Sequence, residues 1–301
     1  MTEHCRVLIL GYGEMGHAME YLLGERQQLD IWEKYPRGDF QSVVLEEAAP
    51  RADIVLFCLP VSPHREVVQR IAPLLRKTCL CVSIAKGLDE AGHTAAQIFA
   101  EELESQQAYC LLYGPMISEE IRAGRYAFAQ LGCADMNSYN RIHALYDGTP
   151  LYVEHTQDIT GISWSVILKN VYALVFGMAD ELQLGDNMRG YLAVAALREL
   201  DRIVCTMGGQ AGSPYHLAGL GDLITTATSE DSHHHALGRM LAREQVQGIE
   251  GEGIHTLEMV SRHHLFNEKE YPLFQLIHDL VRSPQDVSNR IDEYLQQVYS
   301  R

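Results

Sequence analysis

Short, almost purely apolar runs alternate with amphipathic segments through the first half of the chain. The run at residues 7–10 reads VLIL, and those at 54–59 and 80–84 are similarly apolar. Runs that are hydrophobic at nearly every position are typical of strands buried on both faces. Because helix-like segments separate most of them, the pattern predicts a doubly wound parallel sheet of the Rossmann type. The predicted strands cover residues 6–10, 29–32, 54–59, 80–84, 109–113, 127–131 and 151–153.

The pattern changes character near residue 158. Four later segments have the periodicity of helices, and no comparable strand runs lie among them. The sequence therefore predicts two domains, residues 1–157 with the sheet and residues 158–301 with helices only. The predicted helices of the second domain cover residues 162–182, 188–207, 232–244 and 271–280.

A glycine-rich turn follows the first predicted strand and leads into a helical segment. Residues 11–16 read GYGEMG. In such a turn the first glycine permits the tight bend, the second lets a pyrophosphate approach the backbone, and the third lets the helix pack on the strand. The order of strand, turn and helix therefore predicts a dinucleotide site. The predicted cofactor contacts in this turn are Gly11, Tyr12, Gly13, Glu14, Met15 and Gly16.

An acidic residue follows the second predicted strand. Glu33 lies 22 residues after Gly11, where a carboxylate accepts hydrogen bonds from the adenosine ribose hydroxyls, and this favours NAD. Lys34 and Arg37 follow closely and could instead hold the 2′-phosphate of NADP, or all three could be solvated loop charges. Two further cofactor contacts are predicted at the ends of the third and fourth strands, namely Pro60 and Lys86.

One lysine interrupts a strongly apolar helix in the second half of the chain. Lys169 lies within residues 164–176, which are otherwise almost entirely apolar. Burial disfavours the charged ammonium, so such an amine can exchange protons near neutral pH. The alternative is a lysine that extends to the helix surface. Asp222, in an apolar tight turn at 219–223, is a candidate partner that would orient the amine, or a helix cap.

The chain resembles the bacterial type of NAD(P)-dependent glycerol-3-phosphate dehydrogenase over almost its full length. The resemblance implies an N-terminal Rossmann domain and a C-terminal helical domain like that of 6-phosphogluconate dehydrogenase. The motifs that carry it, in the order the family has them, are the glycine turn, Ala85-Lys86-Gly87, Gly114-Pro115, Leu168-Lys169-Asn170, Gly185-Asp186-Asn187 and residues 219–223.

The resemblance also implies a reaction, the interconversion of dihydroxyacetone phosphate and sn-glycerol 3-phosphate, which feeds glycerophospholipid synthesis. Lys169 would accept the proton of the substrate alcohol during oxidation, and Lys86 and Asp222 would complete the polar site. Glu252 is similar to an acidic residue that the family places near the cofactor. The implied substrate contacts are Lys86, Gly114, Asn170, Thr226, His233 and His234.

The chain departs from the family at the substrate phosphate. The family has Ser-Arg-Asn where this chain has Ser232-His233-His234. Arginine carries a permanent charge, whereas an imidazole is charged only near or below neutral pH. Either protonated histidines hold the phosphate, or the substrate is another small alcohol or ketone, such as a hydroxy acid, an opine or a polyol. A solvated histidine cluster without a ligand is a further alternative.

A second alternative is a non-catalytic protein that binds and senses NAD(H). Lys86, Lys169 and Asp222 argue against it, because a sensor does not require these groups. No metal site is predicted. Adjacent histidines on a helix point about 100° apart, and the cysteines lack zinc-ligand spacing.

Charge and composition narrow the range of partners. The chain has 40 acidic and 24 basic residues, a formal net charge of −16. Such an acidic surface repels nucleic acid and anionic lipid.

The apolar run at the amino terminus is too short for a signal peptide, so we expect a cytoplasmic protein without membrane insertion. We expect a small-molecule substrate and a homodimer formed through the helical domain.

Overall fold

The computed structural model describes residues 5–229, 232–245 and 247–300. The chain divides into two compact units. Unit 1 contains the residues up to Asp89 together with His93–Ile159, and unit 2 contains Glu90–Gly92 together with the chain from Thr160 onward.

Seven strands form one sheet in unit 1. They are β1 (Arg6–Leu10), β2 (Gln28–Trp32), β3 (Ile54–Phe57), β4 (Leu80–Ser83), β5 (Tyr109–Tyr113), β6 (Ala127–Gly132) and β7 (Leu151–Thr156). Their order is β2-β1-β3-β4-β5-β6-β7, and β1 to β5 run parallel. β2 lies on one side of β1, and β3 and the later strands lie on the other side. This change in strand order places a ligand crevice at the carboxyl ends of β1 and β3. The predicted Rossmann-type sheet is confirmed.

One strand pair departs from the all-parallel arrangement. β6 runs antiparallel to β5, with Leu111 opposite Gly132, and β7 runs parallel to β6. A parallel partner for β5 would require a long crossover helix. The connection from β5 to β6 contains only a helix of five residues, Ser118–Arg122, so the chain turns back. An apolar run carries no information about direction, which is why the sequence pattern did not show this.

Helices cover the faces of the sheet in unit 1. Apolar residues of the strands and of the first and sixth helices form its buried core. The helices are α1 (Glu14–Leu23), α2 (Leu45–Ala48), α3 (His64–Ile71), α4 (Ala95–Glu102), α5 (Ser118–Arg122) and α6 (Met136–Tyr146).

Unit 2 is helical, and the part of it that the structure describes contains no strand. The second-half segments predicted as helices correspond to α7, α8, α10 and α12, whereas α11 and α13 were not predicted. The helices are α7 (Ile159–Glu181), α8 (Gly185–Thr206), α9 (Asp222–Thr228), α10 (His233–Ala242), α11 (Glu252–His263), α12 (Pro272–Arg282) and α13 (Val287–Tyr299).

The segment before α9 differs from its prediction. Residues Leu217–Gly221 form a π-helical turn that runs directly into α9, so the predicted tight turn at 219–223 is wrong. Gly219 allows this conformation to pack closely, since a Cβ there would lie 2.1 Å from the Pro214 carbonyl oxygen. Asp222 becomes the first residue of α9.

The long helix α7 is the core of unit 2. By length and composition it is apolar enough to cross a membrane, but 89% of the qualifying stretch is buried inside the protein. That burial is the pattern of a central core helix. Lys169 and Asn170 lie near the middle of this helix.

Candidate active site

The glycine turn after β1 has the shape that a dinucleotide requires. Gly11 has a φ of +93°, and a Cβ there would lie 2.7 Å from the Cys58 carbonyl oxygen. A Cβ at Gly16 would lie 2.2 Å from the Gly11 carbonyl oxygen. Gly13, in contrast, has no heavy atom within 4 Å of its Cβ position. The first and third glycines are therefore required by the fold, and the second leaves the backbone open to a ligand.

Glu33 lies beside this turn and closes a pocket. Its carboxylate accepts hydrogen bonds from the backbone nitrogens of Tyr12 (2.8 Å) and Tyr35 (3.1 Å). The Tyr12 ring stacks on Phe40, with 4.3 Å between ring centroids. A carboxylate, an aromatic wall and an open glycine backbone fit the ribose, adenine and phosphates of a dinucleotide. The pocket has a volume of about 510 Å³ and is lined by Tyr12, Gly13, Glu14, His17, Glu33, Tyr35, Arg37 and Phe40.

The remaining predicted residues of unit 1 lie at the same end of the sheet or near it. The Lys86 ammonium, after β4, donates a hydrogen bond to the Gly114 carbonyl, after β5, at 3.2 Å. Pro60 is exposed just beyond β3. The other basic candidate for a 2′-phosphate, Lys34, is paired with Glu66 at 3.0 Å. Glu14 is paired with Arg122 at 2.8 Å, and Met15 packs against the core of unit 1.

In unit 2, Lys169 is buried with a polar partner on α9. Its side chain is 6% exposed and that of Asp222 is 4% exposed, and its Nζ lies 3.2 Å from Asp222 Oδ1. Nζ also donates to Thr226 Oγ1 at 2.5 Å, and the Thr226 hydroxyl donates to the Asp222 carbonyl at 2.7 Å. The lysine therefore does not extend to the helix surface. A buried ammonium is stable only when paired and hydrogen-bonded, and α9 supplies both requirements.

A second contact joins α7 to α11. Asn170 Nδ2 donates to Glu252 Oε2 at 3.2 Å. A Cβ at Gly253 would lie 2.6 Å from the Asn170 carbonyl oxygen, so only glycine permits this close packing. Glu252 thus lies next to the residue that follows Lys169. The periodicity did not predict α11, whereas the resemblance to the family had singled out Glu252, which lies between Gly251 and Gly253.

The three histidines at the start of α10 have three different partners. His233 Nε2 lies 2.8 Å from the Glu250 carbonyl oxygen, which can only accept, so this nitrogen carries a hydrogen. His234 Nε2 accepts from the Gly253 backbone nitrogen at 3.2 Å, so this nitrogen carries none. His235 Nε2 lies 2.7 Å from Asp180 Oδ2. The Nε2 of His233 is therefore a donor, and the Nε2 of His234 is an acceptor. The part of the chain described here contains no group of side chains that could hold a metal ion.

Comparisons with known proteins identify relatives for both halves. Residues 34–139 match the family model described as the NAD-dependent glycerol-3-phosphate dehydrogenase N-terminus, and residues 158–292 match the corresponding C-terminus. The glycerol-3-phosphate dehydrogenase (NAD(P)+) of Nitratidesulfovibrio vulgaris strain DP4 is 26% identical over 96% of this chain and 98% of its own length. That of Exiguobacterium sp. is 31% identical over 80% of this chain and 75% of its own length.

Solved structures share the fold. Glycerol-3-phosphate dehydrogenase from Coxiella burnetii superposes with a TM-score of 0.85 at 22% identity, covering 97% of this chain and 99% of that one. The Plasmodium falciparum glycerol-3-phosphate dehydrogenase gives 0.80 at 16% identity, covering 96% and 94%. With two family models along most of the sequence and a relative above 30% identity, the chain belongs to the NAD-dependent glycerol-3-phosphate dehydrogenase family.

Proposed function

We propose that the chain is an NAD(P)-dependent oxidoreductase that interconverts dihydroxyacetone phosphate and sn-glycerol 3-phosphate. The observation that carries the proposal is the buried contact of Lys169 with Asp222 and Thr226, in a chain of this family. A lysine held by a carboxylate and a hydroxyl inside an apolar helix is suited to proton transfer. No such arrangement is required of a protein that only senses NAD(H).

The two halves of the chain have different roles. Residues 1–157 hold the cofactor through the turn at 11–16 and Glu33, and residues 158–301 bind the substrate and supply the proton-transfer groups. When bound, the nicotinamide carries the hydride that the secondary carbon of the substrate gains or loses. Glu33 favours NAD over NADP, because its carboxylate would repel a 2′-phosphate and the nearest lysine is already paired with Glu66.

Lys169 moves the proton. During ketone reduction its Nζ donates a proton to the carbonyl oxygen as that oxygen gains negative charge, and during alcohol oxidation the neutral amine takes it back. Asp222 orients the amine and favours its charged form after proton uptake. The Thr226 hydroxyl donates to the Asp222 carbonyl, so its oxygen is oriented to accept from Nζ.

Other residues bind and orient the substrate. Asn170, held by Glu252, presents an amide beside Lys169. Lys86 is a further substrate contact on the basis of the family, and its ammonium donates to the Gly114 carbonyl at 3.2 Å. The substrate phosphate is assigned to His233 and His234 on the basis of the family, and the Nε2 of each ring already has a backbone partner. A dehydrogenase of the same fold that acts on an unphosphorylated ketone is the alternative, because no arginine stands at this position.

The test is the rate of NADH and NADPH oxidation with dihydroxyacetone phosphate and with unphosphorylated dihydroxyacetone. We expect turnover with the phosphate ester and a preference for NADH. Lys169→Ala should lower kcat by about 10²–10⁴-fold, the usual contribution of a general acid, while NADH still binds. The matched control is Lys269→Ala, which removes an exposed lysine of unit 2.

Two outcomes would contradict the proposal. Equal rates for Lys169→Ala and the wild type would exclude the mechanism. Turnover of the unphosphorylated ketone alone would assign the chain to the alternative substrate class.

We propose two further properties on the basis of the family. The protein is a homodimer that pairs through its helical unit, and it acts in the cytoplasm on a small-molecule substrate in glycerophospholipid metabolism. Sedimentation velocity on the full chain tests the first property. A single species near 34 kDa, the mass of one chain at 33.8 kDa, would contradict it.

A further inference from the structure

A buried histidine joins the carboxyl ends of β3 and β4. His64, the first residue of α3, has no exposed surface. Its Nδ1 lies 2.8 Å from the Pro60 carbonyl oxygen, and its Nε2 lies 2.9 Å from Ser83 Oγ. Because a carbonyl only accepts, Nδ1 carries the hydrogen, and in the neutral ring Nε2 then accepts from the Ser83 hydroxyl. The two ring nitrogens thus connect the segment after β3 to the last residue of β4.

From Ser83 the hydrogen bonds continue to the residue before Lys86. Ser83 Oγ accepts from the Ala85 backbone nitrogen at 3.1 Å. The buried Tyr113 hydroxyl donates to the Ala85 carbonyl at 2.9 Å. Both backbone polar groups of Ala85 are therefore held by side chains of β4 and β5. The Lys86 ammonium itself donates to the carbonyl of Gly114, which directly follows Tyr113.

We propose that His64 is a positioning residue that holds the Lys86 ammonium in place through Ser83 and Ala85. The inference rests on the proposed function, which assigns Lys86 to the polar site. Lysine side chains are long and flexible, so a fixed backbone at Ala85 limits where the ammonium can lie. The same hydrogen bonds fix the segments at Pro60 and Gly114, which border the crevice at the strand ends.

The ring must be neutral for this arrangement to exist. A protonated imidazole donates from both nitrogens and cannot accept from Ser83. Burial lowers the pKa of His64 to about 4. The groups packed against the ring are the Phe57 and Phe99 rings, the Ser83 hydroxyl and the Pro60 carbonyl.

The charged side chains that follow His64 on α3 have partners elsewhere. Arg65 pairs with Glu101 and Glu102, and Glu66 pairs with Lys34. The neutral ring is therefore maintained by burial rather than by a neighbouring charge. In the folded protein the ring stays neutral at every pH above about 4, and the Ser83 hydrogen bond is lost as the pH falls through that value.

The first experiment compares three substitutions by steady-state kinetics with NADH and dihydroxyacetone phosphate at pH 7. His64→Phe removes both hydrogen bonds of the ring and keeps an aromatic side chain beside Phe57 and Phe99. Tyr113→Phe removes the hydroxyl that donates to the Ala85 carbonyl and keeps the ring. Tyr146→Phe is the control, since it removes a buried hydroxyl that contacts Met19 instead of this network. We expect the first two to lower kcat at least tenfold with a smaller change in the KM for NADH, and the control to stay within twofold.

A Lys86→Ala background separates positioning from general structural damage. If His64 acts through Lys86, His64→Phe should lower kcat no further once Lys86 is absent. A full additional loss of kcat in that background, or equal rates for Tyr113→Phe and Tyr146→Phe, would overturn the inference.

Hydrogen exchange tests the same contact without relying on turnover. The Ala85 amide should exchange faster in His64→Phe than in Tyr146→Phe, because its acceptor Ser83 loses its own partner. Unchanged exchange at Ala85 would contradict the inference. The two proposals can fail separately. If the wild type does not reduce dihydroxyacetone phosphate, the proposed reaction is contradicted. If Ala85 still exchanges faster in His64→Phe than in Tyr146→Phe, the anchoring of the segment at Ala85 remains supported.

Discussion

Two ring nitrogens at the start of α10 bear on the proposed binding of a phosphate ester. By the resemblance to the family, His233 stands at the position of the family's arginine, and its Nε2 donates to the Glu250 carbonyl. The Nε2 of His234 accepts from the Gly253 nitrogen. The pair therefore offers one donor and one acceptor that are already in use, in place of the permanent charge and the donor fork of a guanidinium.

This difference predicts that an arginine at position 233 would improve substrate affinity. A guanidinium carries a permanent charge and a fork of donors that matches a phosphate group, whereas an imidazole offers neither. His233→Arg should lower KM at pH 8 about tenfold, the effect of about 1.4 kcal/mol.

His143→Arg, at an exposed histidine of unit 1, is the control for this measurement. It should leave KM unchanged. No decrease in KM from His233→Arg would show that residue 233 does not contact the phosphate.

At the scale of elements, a buried carboxylate holds the helix that carries Lys169. Glu199 on α8 accepts from the Leu273 and Phe274 backbone nitrogens at the start of α12, at 2.7 and 2.9 Å. It also accepts from the Tyr172 hydroxyl on α7 at 2.9 Å. Three helices of unit 2 thus meet at one side chain, and Tyr172 lies one turn after Lys169.

Removal of this carboxylate should destabilise unit 2. Glu199→Ala leaves three buried donors without their partner, and we expect a loss of about 3 kcal/mol in the free energy of unfolding. Urea denaturation of the full chain measures it. Glu293→Ala, at an exposed glutamate of α13, should change it by less than about 0.5 kcal/mol. Equal effects of the two substitutions would contradict this role of Glu199.

Glu199 also makes the stability of the protein depend on pH. Burial raises the pKa of Glu199 above its ordinary value, although its hydrogen bonds oppose the shift. The folded protein then holds a proton more tightly than the unfolded chain does. Ionisation of Glu199 therefore lowers the free energy of unfolding as the pH rises from the ordinary carboxyl pKa through the raised pKa of this group. Relative to Glu199→Gln, the wild type should gain stability as the pH falls through that window.

Elements differed in how well the sequence predicted them. β1 and β5 begin and end where the apolar runs do, because strands buried on both faces carry an uninterrupted apolar signal. The helix α11 was missed because its residues, EGIHTLEMVSRH, mix polar and apolar side chains and begin beside glycines. The π-helical turn before α9 was missed because its glycines equally suggest a tight turn.

The candidate site divides in the same way. Lys169 and the glycine turn could be identified from the sequence, since a lysine in an apolar helix and a glycine motif after a strand are local signals. Asp222 was also proposed as a partner of Lys169, and Thr226 and Glu252 were named through the resemblance to the family. Their contacts with α7 could not be predicted, because they arise only through tertiary packing. His64 carried no local signal at all. Its importance follows from burial and from hydrogen bonds to Pro60 and Ser83.

At the scale of the whole molecule, the division into two units predicts which unit the cofactor stabilises against unfolding. The glycine turn and Glu33 belong to unit 1, while Lys169 belongs to unit 2. A ligand that binds only the folded state stabilises it by about 2.7 kcal/mol at one hundred times its Kd. NADH should therefore raise the melting temperature of the transition in which unit 1 unfolds, and Lys169→Ala should show the same increase.

Gly13→Ala separates cofactor binding from folding in this measurement. Its Cβ meets no protein atom, and the backbone at Gly13 has a φ of −81°, which alanine adopts readily. The variant should melt at the wild-type temperature without cofactor and lose the increase that NADH causes, because the methyl group occupies the path of the pyrophosphate. Gly16→Ala should melt lower even without NADH, since its Cβ would lie 2.2 Å from the Gly11 carbonyl oxygen. If Gly13→Ala retained the full increase with NADH, the dinucleotide would have to bind away from the glycine turn.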